Sequence, residues 1–120
     1  MREYDNETLT KVQKAELGIL RDFVDLCEKN NLTYFGIAGT GIGAIRHGGF
    51  IPWDDDIDVA MPRDDFEQFV DIAKRQYSNK YMIMNGTENE NYPLLTTRWM
   101  IRGTEFVEEP LKNIKCPLGI

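Results

Sequence analysis

The sequence predicts an α/β fold, of the α+β kind, in which a small mixed sheet is flanked by helices. Two observations lead to this class. Amphipathic segments with helical spacing occupy residues 8–30 and 64–77, and short segments rich in β-forming residues alternate with them. The chain has 120 residues, of which 42% are hydrophobic. We therefore expect one domain, residues 1–120, with enough apolar material for a core.

The first helix is predicted over residues 8–30. Thr10 and Gln13 have the spacing of a capping box, and the pair Asn30-Asn31 is expected to end the helix. One face of the helix is apolar, which predicts that it packs against the core. The apolar positions that recur at helical spacing are Val12, Leu17, Leu20, Phe23, Val24 and Cys27.

The elements after this helix are short. Residues 33–38 (T-Y-F-G-I-A) are predicted as a strand that the segment 39–41 (G-T-G) breaks. Residues 42–46 are expected to form one or two helical turns. Asp64 is the predicted N-cap of a helix that ends near Tyr77, with Glu67 completing a capping box. The remaining predicted elements are strands at 57–61 and 80–84, a polar loop at 86–91, and a hairpin of 94–101 and 104–107 that turns at Arg102-Gly103.

Composition excludes several classes of function. The formal net charge is −6 and the pI is about 4.8, so the global positive charge of a nucleic-acid-binding protein is missing. No apolar run approaches the ~20 residues of a membrane span, and the N-terminus lacks a signal-peptide core. Cys27 and Cys116 are far apart and suggest neither a disulfide framework nor a zinc site. We therefore expect a cytoplasmic protein.

The segment F-I-P-W-D-D-D-I-D, residues 50–58, places four aspartates in five positions. Two carboxylates about 4 Å apart repel by roughly 4 kcal/mol at an effective dielectric constant of about 20, so a divalent cation is the simplest compensation. On a strand, Asp54, Asp56 and Asp58 would face one side and Asp55 the other. A solvated acidic turn is the alternative interpretation.

A glycine-rich segment precedes the aspartates and contains Gly39, Gly41, Gly43, Gly48 and Gly49. It follows a predicted strand, where backbone amides can bind phosphate. It matches neither G-x-G-x-x-G nor the P-loop pattern, and taken alone it indicates turns or close packing more often than a ligand site. A phosphate-binding turn followed by D-x-D nevertheless supplies the two parts that phosphoryl transfer needs.

Residues 39–69, G-T-G-I-G-A-I-R-H-G-G-F-I-P-W-D-D-D-I-D-V-A-M-P-R-D-D-F-E-Q-F, closely resemble the signature of the LicD family. That family includes bacterial phosphorylcholine transferases and animal fukutin-related proteins, and belongs to the nucleotidyltransferase-fold superfamily. The chain departs from the pattern at Gly41-Ile42, where Leu-Leu is usual. The resemblance weakens after Tyr77. It implies a nucleotidyltransferase-like fold, of which this chain would be the truncated N-terminal part.

The resemblance also implies roles for individual residues. Gly39 and Thr40 would contact a phosphate, and Asp56 and Asp58 would hold Mg²⁺ or Mn²⁺. Asp54 would be a further ligand or a catalytic carboxylate, and a third family carboxylate would lie on a strand after Ile120.

Four other residues have two interpretations each. Arg46 and His47 would bind phosphate or the transferred group, although a hydrogen-bonded structural histidine is the commoner case. Arg63 would orient the aspartates or form a surface ion pair. Trp53 would stack on a ligand or anchor the loop to the core. Weaker candidates are Arg98 and Arg102 for phosphate, and Glu105, Glu108 and Glu109 for a late carboxylate.

The implied activity is metal-dependent transfer of a phospho-alcohol, such as phosphorylcholine, from a CDP-linked donor. The acceptor would be a hydroxyl of a glycan or lipid-linked saccharide precursor in lipopolysaccharide or teichoic acid biosynthesis. Three alternatives remain: nucleotidyl transfer to a sugar or alcohol phosphate, a non-catalytic nucleotide- or metal-binding domain, and an EF-hand-like calcium module. The last is disfavoured because Val59, Pro62 and Asp65 occupy positions where that loop needs other residues.

Overall fold

A computed structural model of the chain describes residues 5–85 and 96–104. Helices alternate with short antiparallel strands in this part of the chain, which confirms the α/β class. The strand Phe35–Gly36 pairs with Val59–Ala60, and Tyr81–Met84 pairs with Arg98–Ile101, in separate two-stranded sheets. In chain order the elements are α1 (Asn6–Lys29), β1 (Phe35–Gly36), α2 (Ala38–Arg46), β2 (Val59–Ala60), α3 (Arg63–Gln76), β3 (Tyr81–Met84) and β4 (Arg98–Ile101).

The chain divides into two compact units, Met1–Phe69 and Val70–Ile120, and the single domain expected from the sequence stays a prediction. In the first unit the Phe23 ring lies edge-on to the rings of Tyr34 and Phe69, with centroids 5.3 and 5.2 Å apart. The buried apolar residues of this unit are Leu9, Val12, Phe23, Leu26, Cys27, Leu32 and Phe69.

Helix α1 begins earlier than predicted because Asp5, and not Thr10, is its N-cap. The Asp5 carboxylate accepts a hydrogen bond from the Thr8 amide at 2.8 Å, which satisfies an amide of the first turn. Thr10 lies inside the helix, and its hydroxyl donates to the Asn6 carbonyl at 2.9 Å. The predicted capping box is therefore wrong, whereas the predicted end of the helix at Asn30 is confirmed.

Strand β1 is shorter than predicted and helix α2 longer. Only Phe35–Gly36 pairs with a neighbouring strand, and α2 begins at Ala38. The segment 39–41 therefore lies in the first helical turn, where the Gly41 amide donates to the Ile37 carbonyl at 3.2 Å. The preceding backbone is unusual, since Ala38 has φ +50°, a conformation that residues with a Cβ rarely adopt.

Strand β2 and helix α3 also have bounds that differ from the predicted ones. Strand β2 is limited to Val59–Ala60, so the aspartate segment is not part of a strand. Helix α3 begins at Arg63, which places Asp64 in its first turn and not at the N-cap. An acidic side chain is still favourable there because it faces the positive end of the helix dipole. Asp65 in the same turn accepts a hydrogen bond from the Thr33 amide at 2.7 Å.

In the second unit, β4 pairs in antiparallel register with β3, so that Tyr81 lies opposite Ile101. The turn predicted at Arg102-Gly103 follows β4, with Gly103 at φ +86°. The predicted loop at 86–91 and the second hairpin strand beyond residue 104 lie outside the described residues. Among the helices that the structure describes, none is both long and apolar enough to cross a bilayer.

Candidate functional site

The first turn of α2 contacts the aspartate segment directly. The Asp58 amide donates to the Thr40 hydroxyl oxygen at 2.8 Å, and the Asp58 carbonyl accepts from the Ile37 amide at 3.1 Å. The backbone of Asp58 is thus held from both sides. A Cβ placed on Gly39 would overlap the Asp54 carboxylate oxygen Oδ2, so this carboxylate occupies space that only glycine leaves open.

A second glycine of α2 fixes the loop that leads into the aspartates. Gly43 is the buried residue of this helix, and its carbonyl accepts hydrogen bonds from the amides of His47 at 2.8 Å and Gly49 at 3.3 Å. A Cβ on Gly43 would lie 2.9 Å from the Ile51 nitrogen and 3.3 Å from the Phe50 carbonyl carbon. The loop backbone therefore packs directly on the helix backbone.

Three carboxylates come together in the loop. Oxygen atoms of Asp54, Asp55 and Asp56 all lie within 4.8 Å of one another, and the Asp55 amide donates to Asp54 Oδ1 at 3.1 Å. The expectation that Asp55 points away from its neighbours is wrong, because the segment is not a strand and side chains do not alternate. Asp58 lies outside this group of three, and its role as a metal ligand stays a prediction.

The proximity of these groups changes their acidity. The pKa of Asp56 is raised to about 7, first by loss of solvation, then by a hydrogen bond to the Asp54 side chain and by the charges of Asp58, Asp54 and Asp55. A carboxyl that shares a proton with a neighbouring carboxylate is typical of crowded acidic sites. A cation that replaced this proton would remove the repulsion.

Helix α1 contributes two residues that the sequence analysis did not assign to the site. The Gln13 amide nitrogen Nε2 donates to the Asp54 backbone carbonyl at 2.7 Å. Glu16 lies one helical turn later, and its oxygen Oε1 is enclosed and has no hydrogen-bond partner within residues 5–85 and 96–104. The pKa of Glu16 is raised to about 8, first by loss of solvation and then by the charges of Asp56, Asp55, Asp54 and Asp58.

The local pattern could not reveal these contacts. The spacing of Gln13 after Thr10 fits a capping box equally well, and Glu16 resembles any polar residue of an amphipathic helix. A weak signal exists in the i, i+3 spacing of Gln13 and Glu16, which places both on one face of the helix.

The other predicted site residues lie at exposed positions. Arg46 is the last residue of α2, and His47 is its C-cap. The Arg63 guanidinium lies over the Phe66 ring, 5.6 Å from the centroid. The roles proposed for these three residues stay predictions. Trp53 is 70% exposed, so it does not anchor the loop to the core and is available to a ligand.

The candidates of the second unit have other contacts or lie outside the structure. Arg102 donates from Nε to the Ser78 carbonyl at 2.8 Å and from a terminal nitrogen to the Tyr81 carbonyl at 3.4 Å, which indicates a structural role. Arg98 begins β4, and its side chain is half-buried. The three glutamates suggested as a late carboxylate, Glu105, Glu108 and Glu109, lie outside the described residues.

The residues present fit a hard divalent cation. Carboxylate oxygens are the ligands that Mg²⁺ and Mn²⁺ prefer. The enclosed Glu16 Oε1 has no hydrogen-bond donor in the part of the chain that the structure describes, and the Asp54 carboxylate lies against Gly39. An EF-hand is disfavoured for this segment, because α2 ends at Arg46 and not directly before Asp54, and because Val59 stands where that calcium loop needs glycine.

Comparison with known proteins identifies the family and several relatives of this chain. Residues 31–102 match the family model described as LicD/FKTN/FKRP, nucleotidyltransferase domain. The chain is 55% identical over 74 residues to the lipopolysaccharide cholinephosphotransferase LicD of Haemophilus influenzae, in a match that covers 62% of this chain and 28% of that protein. An uncharacterized protein of Rickettsia typhi is 35% identical over 75 residues, covering 57% of this chain and 24% of the relative. No solved structure matches.

Proposed function

Since the chain belongs to the LicD/FKTN/FKRP family of nucleotidyltransferase domains, we propose that it takes part in a cytoplasmic phosphotransferase reaction. The transferred group is a phospho-alcohol such as phosphorylcholine, and the donor is a CDP-linked alcohol. The acceptor is a hydroxyl of a glycan or lipid-linked saccharide precursor, as in lipopolysaccharide or teichoic acid biosynthesis. The matched segment spans only 28% of the Haemophilus relative, so the whole reaction is part of the proposal.

One observation carries this proposal: the carboxylates of Asp54, Asp55 and Asp56 lie together beside the N-terminal turn of α2. The close packing of Asp54 on Gly39 and the bond between Thr40 and Asp58 establish that proximity. The first turn of a helix presents amide groups that lack intrahelical acceptors and favour anions. A diphosphate bound there has amide donors on one side and carboxylates on the other, and those carboxylates repel it unless a cation lies between them.

The residues of the site would have different roles in the reaction. Asp54, Asp55 and Asp56 would hold Mg²⁺ or Mn²⁺, with Asp58 as a further candidate, and the ion neutralises charge on the donor diphosphate when bound. Gly39 and Thr40 position a phosphate, and Arg46, His47 and Arg63 are candidates to bind the rest of the donor. A carboxylate accepts the proton of the attacking hydroxyl, the new oxygen–phosphorus bond forms, and CMP leaves. Positioning and charge neutralisation dominate such reactions.

Binding measurements test the first half of the proposal. Calorimetric titration of the chain should show CDP-choline binding that depends on Mg²⁺ or Mn²⁺ and is lost in Asp56→Asn. The exposed Asp64→Asn in α3 is a control that removes the same charge outside the loop. Binding of CDP-choline to equal affinity with and without a divalent cation would contradict the proposal.

Product analysis tests the second half. With a glycan acceptor, the proposed reaction releases CMP, whereas nucleotidyl transfer from CTP to a sugar or alcohol phosphate releases pyrophosphate. If Asp56→Asn and Asp58→Asn both leave metal binding and transfer intact, the assignment of the aspartates is wrong. Metal-dependent nucleotide binding without any transfer would instead favour the non-catalytic alternative.

A further inference from the structure

Helix α1 lies against the aspartate segment and joins it through a side-chain hydrogen bond. The 2.7 Å bond from Gln13 Nε2 to the Asp54 carbonyl connects residues that are 41 positions apart in the sequence. It holds the backbone at the first aspartate of the group. Glu16 lies one helical turn after Gln13, on the same face of α1.

The surroundings of the Glu16 carboxyl group are unusual for a polar residue of an amphipathic helix. Its Oε1 atom is enclosed and has no hydrogen-bond donor among the described residues. An enclosed acceptor without a partner costs about 1–3 kcal/mol, and more when it is charged. The titratable groups that act on Glu16 are Asp54, Asp55, Asp56 and Asp58, and carboxylates supply no positive charge. No described residue therefore compensates this oxygen, and a proton or a cation would do so.

We propose that Glu16 is a further carboxylate of the divalent-cation site formed by Asp54, Asp55 and Asp56. The inference rests on the proposed function, since it assigns one more residue to the same cation. Glu16, on the helix that precedes the family signature, would bind the ion directly or accept a hydrogen bond from a water molecule bound to the ion. This unit then supplies carboxylates from two elements, α1 and the loop, and the ion joins them.

The test measures Mn²⁺ binding by the chain without nucleotide, by electron paramagnetic resonance or calorimetry. Glu16→Gln keeps the shape of the side chain and removes its charge, and it should weaken Mn²⁺ binding about tenfold or more, as the loss of a ligand or its immediate support does. Glu28→Gln is the matched control, because it removes the same charge from an exposed position of α1 and should leave the affinity unchanged. Circular dichroism verifies that both variants are folded.

A third variant, Asp56→Asn, distinguishes failure of this inference from failure of the proposed function. Weaker binding in both Glu16→Gln and Asp56→Asn supports the inference. Weaker binding in Asp56→Asn alone overturns the role of Glu16 and leaves the aspartate site standing. Unchanged binding in both variants overturns the inference together with the cation site on which it rests.

Discussion

Because Gly43 packs against the aspartate loop, we expect the substitution of glycine by alanine to have different effects at Gly43 and at Gly18. In Gly43→Ala, the new Cβ would lie 2.9 Å from the Ile51 nitrogen, 3.3 Å from the Phe50 carbonyl carbon, and still closer to the Gly49 carbonyl oxygen. All three atoms belong to the backbone and cannot rotate away. In Gly18→Ala, by contrast, no described atom other than the neighbouring backbone of the same helix lies within 4 Å of the new Cβ.

The expected changes in the free energy of unfolding have opposite signs. Alanine in place of glycine stabilises a helix by about 0.5–1 kcal/mol, and Gly18→Ala should show this gain. At Gly43 the same gain is offset by overpacking, which costs about 1–3 kcal/mol in a well-packed site and more where backbone must move. We expect Gly43→Ala to lose about 2 kcal/mol, so that the two variants differ by about 3 kcal/mol.

Urea denaturation followed by circular dichroism measures both values, with the slope of the transition confirming that each variant unfolds in the same way. Because the loop at Ile51 leads directly into Asp54, Gly43→Ala should also weaken Mn²⁺ binding in the fraction that remains folded. Equal stability of Gly43→Ala and Gly18→Ala would refute the close packing of α2 on this loop.

Three further predictions concern the site itself. Gly39→Ala meets the movable end of the Asp54 side chain, so Mn²⁺ affinity should fall while the free energy of unfolding changes by less than about 1 kcal/mol, a smaller loss than overpacking against backbone causes. Thr40→Val removes the acceptor of the Asp58 amide and should cost about 0.5–1.5 kcal/mol in urea denaturation, whereas Thr40→Ser should not. The raised pKa of Glu16 means that the metal-free chain loses stability as pH rises from about 4.5 to about 8. Because glutamine does not titrate, Glu16→Gln should reduce that loss of unfolding free energy by about 1–2 kcal/mol, a value already lowered to allow for solvent screening. If the unfolding free energy of the variant depends on pH in the same way as that of the unmodified chain, this prediction is wrong.

The helices were predictable from the sequence because they depend on a local pattern. An amphipathic period extends through α1 and α3, so both were found, with errors confined to their first residues. The strand predicted at 80–84 agrees with β3, whereas β1 and β2 are shorter than predicted. Residues 33–38 are rich in β-forming side chains, but only Phe35–Gly36 has a paired neighbour. Pairing, which the local pattern does not contain, sets the length of such a strand.

The residues of the site could likewise be predicted only where their relation is local in the sequence. Motif spacing predicted that the aspartates and Gly39-Thr40 belong together, and the structure shows contacts between them; their functional roles stay predictions. It placed Asp55 on the wrong side because alternation holds only on a strand. Glu16 escaped prediction altogether, because its relation to the aspartates exists only once α1 lies against the loop.

The binding of protons and the binding of the proposed cation to these carboxylates change in opposite directions as the pH rises. Burial and mutual repulsion raise the pKa of both Glu16 and Asp56, so each holds a proton at a pH where an ordinary carboxyl has lost it. Rising pH removes those protons, leaves unpaired charge in the folded state and lowers the stability of the metal-free chain. Ligand oxygens must be deprotonated to bind a metal, so rising pH would also strengthen the affinity of the proposed site for a cation. A cation site of this composition therefore stabilises the fold most at the pH where the metal-free fold is weakest, and that coupling follows from the crowding of the carboxylates themselves.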